Sequence, residues 1–122
     1  VIVGLDHVQV AAPAGSEDEA RRFYGLWLGL QEIEKPPLLA DRGGVWFRVG
    51  RQQLHIGVTD DFSPAAKAHP ALRVSSLDEL ERLEALLAGN GVPVSRPDPD
   101  EIPGRARLHT LDPWGNRVEL LV

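Results

Sequence analysis

The sequence predicts an α+β fold of two βαβββ modules forming a curved mixed-sheet cleft. Three observations predict it. Short valine-rich runs alternate apolar and polar residues, which is the strand period. Two stretches carry an apolar helical stripe, each preceded by a serine with a glutamate three residues on. The whole pattern then occurs twice: Ser76 lies 60 residues after Ser16, His69 62 after His7, and Glu119 64 after His55. Two copies are too few for a solenoid. A lone βαβββ unit leaves a curved sheet face uncovered, so two units are expected to cover each other, within one chain or across a dimer.

The elements follow in order. Leu5 to Ala11 alternates as a strand, and Pro13 and Gly15 break it. Ser16 and Glu19 form a capping box whose acidic first turn suits the helix dipole. Ala20, Phe23, Tyr24 and Trp27 then share one helical face, and Gly29 is placed to end it. Residues 31–39 hold a short strand and a proline-containing loop. Val45 to Val49 and Gln53 to Val58 are strands, joined at Gly50-Arg51 by a glycine-first two-residue turn. In the second copy, Pro70 to Val74 is a strand, and Ser76 and Glu79 repeat the box. Leu80, Leu83, Leu86 and Leu87 form the stripe, which Gly89 or Gly91 ends. Val92 to Ser95 is a short strand and 96–103 a proline-rich loop. Arg105 to Leu111 and Arg117 to Val122 close the chain as a hairpin. The expected division is 1–58 for the first module, 59–68 for a linker and 69–122 for the second.

Composition narrows the function. The chain has 122 residues and a formal net charge of -5, which argues against nucleic acid as the main partner. It contains no cysteine, so disulfides, thiolate metal sites and cysteine nucleophiles are excluded. No apolar run reaches the ~20 residues of a membrane span and no signal peptide is evident. A cytoplasmic location is the simplest expectation. Methionine is absent even at position 1, so the initiator is expected to lie outside this numbering.

Strand parity sorts the polar residues. Val8 and Val10 suit the helix side of the first strand, which turns His7 and Gln9 to the concave face. In the hairpin around Gly50-Arg51, His55 sits opposite Trp46 and Gln53 opposite Arg48, all on that face. In the second module, His69, Ala71 and Arg73 share a face with Glu119 and Leu121 and with Arg105, Arg107 and His109. The concave faces thus collect all 4 histidines and Glu119. Imidazole with carboxylate suits zinc, nickel, cobalt, manganese or ferrous iron. His7, His69 and Glu119 make a two-histidine, one-carboxylate set, to which His55 adds a fourth donor. Arg105, Arg107, Arg48 and Trp46 are candidates for binding substrate, the arginines because guanidinium clamps carboxylate or phosphate.

LDHVQV at 5–10, RRFYGLWLGLQ at 21–31, LHIGV at 54–58, HPALRV at 69–74 and LDPWGNRVELL at 111–121 carry a family pattern. The sequence resembles the vicinal oxygen chelate superfamily, which includes glyoxalases, bleomycin-resistance proteins and extradiol dioxygenases. The resemblance implies metal ligands on the first and last strand of each module. These are His7 and His55 in the first and His69 and Glu119 in the second. His55 stands where the glyoxalase pattern more often has Glu. Gln9 and His109 match positions that face substrate, His109 as a catalytic acid or base and Gln9 as an orienting hydrogen bonder.

The function so implied is that of a lyase, isomerase or transferase using one divalent metal. It would chelate neighbouring oxygens of a small, anionic substrate and stabilise an oxyanion or enediolate. The alternatives are a metal-free drug- or metabolite-binding protein, and an extradiol-type dioxygenase using ferrous iron. The resemblance also implies a homodimer. It leaves open whether His7 meets His69 of its own chain or of its partner.

Overall fold

Gly50 sets the register of the first sheet. It takes a φ of 59° while Arg51 stays at negative φ, as a glycine-first two-residue turn requires. Val49 therefore pairs with Gln52. Strand β3 (Val45–Val49) runs antiparallel to β4 (Gln52–Thr59), with Trp46 opposite His55 and Arg48 opposite Gln53, as parity predicts. Strand β1 (His7–Pro13) lies parallel to β4 and pairs His7 with Gln53 and Gln9 with His55. Strand β2 (Gln31–Ile33) completes the order β1-β4-β3-β2. The second sheet repeats this plan. Its strands β5 (Ala71–Arg73), β6 (Val94–Ser95), β7 (Arg107–Leu111) and β8 (Arg117–Leu121) take the order β5-β8-β7-β6. The computed structural model describes all 122 residues. It divides into two units, Val1–Pro64 and Ala65–Val122, and the division falls inside the 59–68 segment. No helix is long and apolar enough to cross a membrane.

The two helices differ. Helix α1 (Glu17–Ala20) continues as a π-helix over Arg21–Trp27, in which the Leu28 N–H bonds the Phe23 carbonyl five residues back. Phe23 and Tyr24 are buried as expected, Trp27 is half-buried, and Gly29 ends the helix at φ 77°. The expected capping box at Ser16 does not form. Ser16 is buried, and its hydroxyl donates to the Pro13 carbonyl instead of capping a helix N–H. In α2 (Leu77–Gly89), Ser76 Oγ accepts the Glu79 N–H at 3.2 Å. Half of that box is missing, because the Glu79 carboxylate turns to Arg82. Leu80, Leu83 and Leu87 are buried, Leu86 only in part, and Gly91 turns the chain away at φ 75°.

Several strand boundaries differ from the sequence reading, among them the starts of β1, β6 and β7. Strand β1 starts at His7 rather than Leu5, and Leu5 is exposed. Pairing with β4 sets those ends, and local alternation does not. Val8, expected on the buried face, is 39% exposed, and burial begins at Val10 and Ala12. The last hairpin begins its pairing at Arg107, so Arg105 precedes the strand.

Gly44 joins sheet and helix in the first unit. Its N–H donates to Glu17 Oε1 at 3.0 Å, and this backbone hydrogen bond is the main reason the Glu17 carboxyl is held below its usual range. A Cβ on Gly44 would lie 2.2 Å from the Ile56 carbonyl oxygen, and its φ is +84°. Neither the neighbouring strand nor an L-residue can relax both conflicts. Gly44→Ala is therefore expected to lower stability by about 2 kcal/mol or more, measured by urea unfolding. Wild-type stability in that variant would show that the loop accommodates a side chain.

Candidate functional site

In the second unit one row of residues crosses the sheet: Ala71, Glu119, His109 and Ser95, on β5, β8, β7 and β6. Glu119 is its centre. It is 5% exposed, an unusual state for a carboxylate unless it is paired. Its two oxygens are divided between partners. Oε1 accepts from Arg107 Nε at 2.6 Å, and Arg107 reaches on to Glu101 at 3.1 Å. Oε2 faces His69 Nε2 at 3.1 Å and His109 Nε2 at 3.6 Å. His69 is fixed from behind by its Nδ1, which donates to the Lys67 carbonyl at 2.8 Å. Nε2 then faces the carboxylate: it donates to Oε2 here, and offers its lone pair when a cation takes the place of that proton. Burial alone would raise the Glu119 pKa. The Arg107 and His69 hydrogen bonds outweigh it and hold the carboxyl below its usual range.

His109 Nε2 is buried and has no hydrogen-bond partner. It completes a set of donors, with His69 and Glu119, whose ligand atoms lie within 4.8 Å of one another. Donors around one tetrahedral zinc lie about 3.4 Å apart, close to the 3.1 and 3.6 Å spacings at Oε2, while the full set spans up to 4.8 Å and would have to draw together around an ion. Two imidazoles and an ionised carboxylate are also the right chemistry for a divalent transition metal.

The equivalent row of the first unit is Gln9, His55, Trp46 and Ile33. His55 is 4% exposed and lies between two rings. Trp46 stacks on it at 3.7 Å and 4°, and His7 on the other side at 4.3 Å and 15°. Its Nε2 pairs with Gln53 Oε1 at 2.8 Å, which is a donor–acceptor arrangement for a neutral ring. Burial first, and then repulsion from His7, lower its pKa and favour that neutral form. His7 is exposed, with Nδ1 on Asp6 at 2.7 Å. The Gln9 amide lies across Gly57, where a Cβ would come within 2.6 Å of it.

The parity argument thus groups its residues correctly within each unit. His7, Gln9, Trp46, Arg48 and His55 share the first face, and His69, His109 and Glu119 meet in the second. Arg107 was read as a cation for substrate, but it is spent on Glu119 and Glu101. Arg105 stands outside β7, and Arg48 is exposed on β3. Three contributors were given no role by the sequence reading: Gln53, which it placed on the concave face, Asp6 and Arg117. Parity with His55 and with Glu119 was the available signal for the first and third.

Comparison with known proteins agrees with this fold. The sequence model of the Glyoxalase/Bleomycin resistance protein/Dioxygenase superfamily matches residues 4–120. Among solved structures, a protein assigned to the glyoxalase family from Bacillus anthracis is 45% identical. That match covers 99% of this chain and 95% of the other, at a TM-score of 0.89. A lactoylglutathione lyase from Agrobacterium tumefaciens is similar in fold at 21% identity, TM-score 0.72, with 98% and 93% covered. So is a fosfomycin resistance protein from Listeria monocytogenes, at 16% identity and TM-score 0.73, with 100% and 92% covered. No curated protein sequence matches the chain.

The Arg107–Glu119 pair sets a pH dependence in the metal-free protein. Glu119 has a folded pKa below its unfolded value of 4.5, so its contribution is fully present above that value. It is lost as pH falls through the folded pKa. Arg107→Leu strands the carboxylate and is expected to lower stability at pH 7. The deficit should shrink toward pH 4, where the stranded carboxyl takes up a proton. Urea unfolding of both proteins from pH 4 to 8 measures this, and a deficit independent of pH would contradict it.

Proposed function

The chain belongs to the glyoxalase/bleomycin resistance protein/dioxygenase superfamily, and from that premise we propose that it is a metalloenzyme of the glyoxalase-like kind. Its reaction class is that of a lyase, isomerase or transferase acting on a small, anionic substrate with two neighbouring oxygens. The observation that carries this reading is the buried, unpartnered Nε2 of His109 beside the oxygen that His69 also faces. A buried ring nitrogen without a partner is costly. Here a cation shared with the carboxylate would satisfy it.

His69 and Glu119 are the proposed core of the metal site. His7, and with it His55, are proposed as further ligands on the strength of the family pattern. His109 was expected to carry a proton. Its spacing from Glu119 equally suits a third ligand, and the tests below divide the two roles. When bound, a divalent ion supplies Lewis-acid stabilisation of negative charge on the substrate oxygens.

The chain's own residues have the remaining tasks. Arg107 holds Oε1 of Glu119 and keeps the carboxylate ionised and fixed in rotation, so that Oε2 alone is presented. The Lys67 carbonyl fixes the His69 tautomer. Gln9, braced over Gly57, is proposed to orient a substrate oxygen. An imidazole beside the site can move a proton near neutral pH, and His109 takes that task if His7 completes the ligand set. The protein is proposed to act in the cytoplasm as a homodimer.

Elemental mass spectrometry of protein purified without added metal or chelator tests the proposal. About one zinc, nickel, cobalt, manganese or iron per site is expected, lost in Glu119→Ala and His69→Ala. His109→Ala should lose the ion if it is a ligand. If it is the proton carrier, that variant keeps the ion and loses turnover, while His7→Ala loses the ion. No metal in the wild type and none taken up on titration would overturn the enzyme reading in favour of a metal-free binding protein.

A further inference from the structure

We propose that Arg117 forms an oxyanion subsite beside the His69–His109–Glu119 cluster and selects substrates with a carboxylate, phosphate or phosphonate end. The inference deepens the function proposed above, since it names the group that the substrate presents to the second unit. A cavity of about 260 Å³ opens on that unit and is lined by Ser95, His109, Leu111 and Arg117 among others. His109 therefore belongs to both the donor cluster and the cavity. Along β8, residue 117 shares its face with Glu119, and on β7 Leu111 opposite it shares a face with His109.

Charge decides which cation is available there. Arg107 gives its guanidinium to Glu119 and Glu101. Arg96, beside Ser95, is paired with Glu84. Arg117 is half-buried, lines the cavity and enters no ion pair. A guanidinium held at a cavity wall offers two parallel N–H donors, which match an oxyanion better than a point charge does. Ser95 adds a hydroxyl donor on the strand paired with His109. The site is thus polarised: a cation-binding carboxylate and imidazoles in one part, an uncompensated guanidinium in the other. A substrate with oxygens for a metal and a second anionic end would span both.

Inorganic phosphate titrated into metal-free protein tests this, followed by backbone amide NMR. Saturable shifts at Ser95, His109 and Arg117 are expected. Arg117→Gln should weaken phosphate at least about tenfold. Arg117→Lys keeps the charge but loses the two-pronged geometry, so it should bind with intermediate affinity. Arg51→Gln, on the hairpin turn of the first unit, should bind as the wild type does. Absence of saturable shifts at those residues, or unchanged affinity in Arg117→Gln, would overturn the subsite. If Arg117→Gln fails to fold, wild-type affinity in Arg117→Lys would overturn it. Equal weakening in Arg51→Gln would mark an adventitious ion only. Metal content is a separate measurement, so this inference can fail while the metal reading stands.

Discussion

A carboxylate placed mid-strand and 5% exposed has to be compensated, and Glu119 is compensated by Arg107. Much of the second unit's polar organisation serves that constraint. Arg107 stands opposite Leu121 on β7, so its side chain must run along the sheet face to reach Glu119. Its far end is tied to Glu101 in the loop between β6 and β7. With Oε1 so engaged, Oε2 is left for His69 and His109. A single guanidinium therefore fixes the orientation of the carboxylate, holds its ionisation and anchors a surface loop.

The first unit has no carboxylate at the corresponding position. The sheet position held by Glu119 in one unit is held by His55 in the other, and the position of His109 is held by Trp46. His55 is buried between Trp46 and His7, which favours a neutral ring. Gly44 stands where the second unit has Arg107. Its close approach to Ile56 leaves no room for any side chain. The same topology thus carries a carboxylate-centred donor set in one unit and an aromatic stack around a buried histidine in the other, as expected when copies of one module take different roles.

What could be read from the sequence was what local geometry determines. The Gly50 turn fixed the β3–β4 register, which made the grouping of His55 with Trp46 legible, and apolar alternation along the last two strands did the same for His109 with Glu119. Helix ends were less so. Ser16 and Ser76 carry the same motif, yet Ser16 spends its hydroxyl on Pro13, three residues before it, and only Ser76 caps. The π-helix after Ala20 and the bond from Gly44 to Glu17 depend on packing across the unit, which no local window contains. The ion pairs of Arg107 were hidden for the same reason. Parity placed the residue on the right face, but the ion pair that occupies it depends on side-chain reach between strands.

The central claim is that the oxygen of Glu119 left free by Arg107 is a metal ligand. Anomalous diffraction from crystals of the cobalt- or zinc-loaded protein tests it most directly. The account predicts one strong peak about 2.0–2.2 Å from Glu119 Oε2 and from His69 Nε2, with Arg107 still on Oε1. A fully loaded protein whose peak lies elsewhere, or a Glu119 carboxylate without a metal contact, would contradict it.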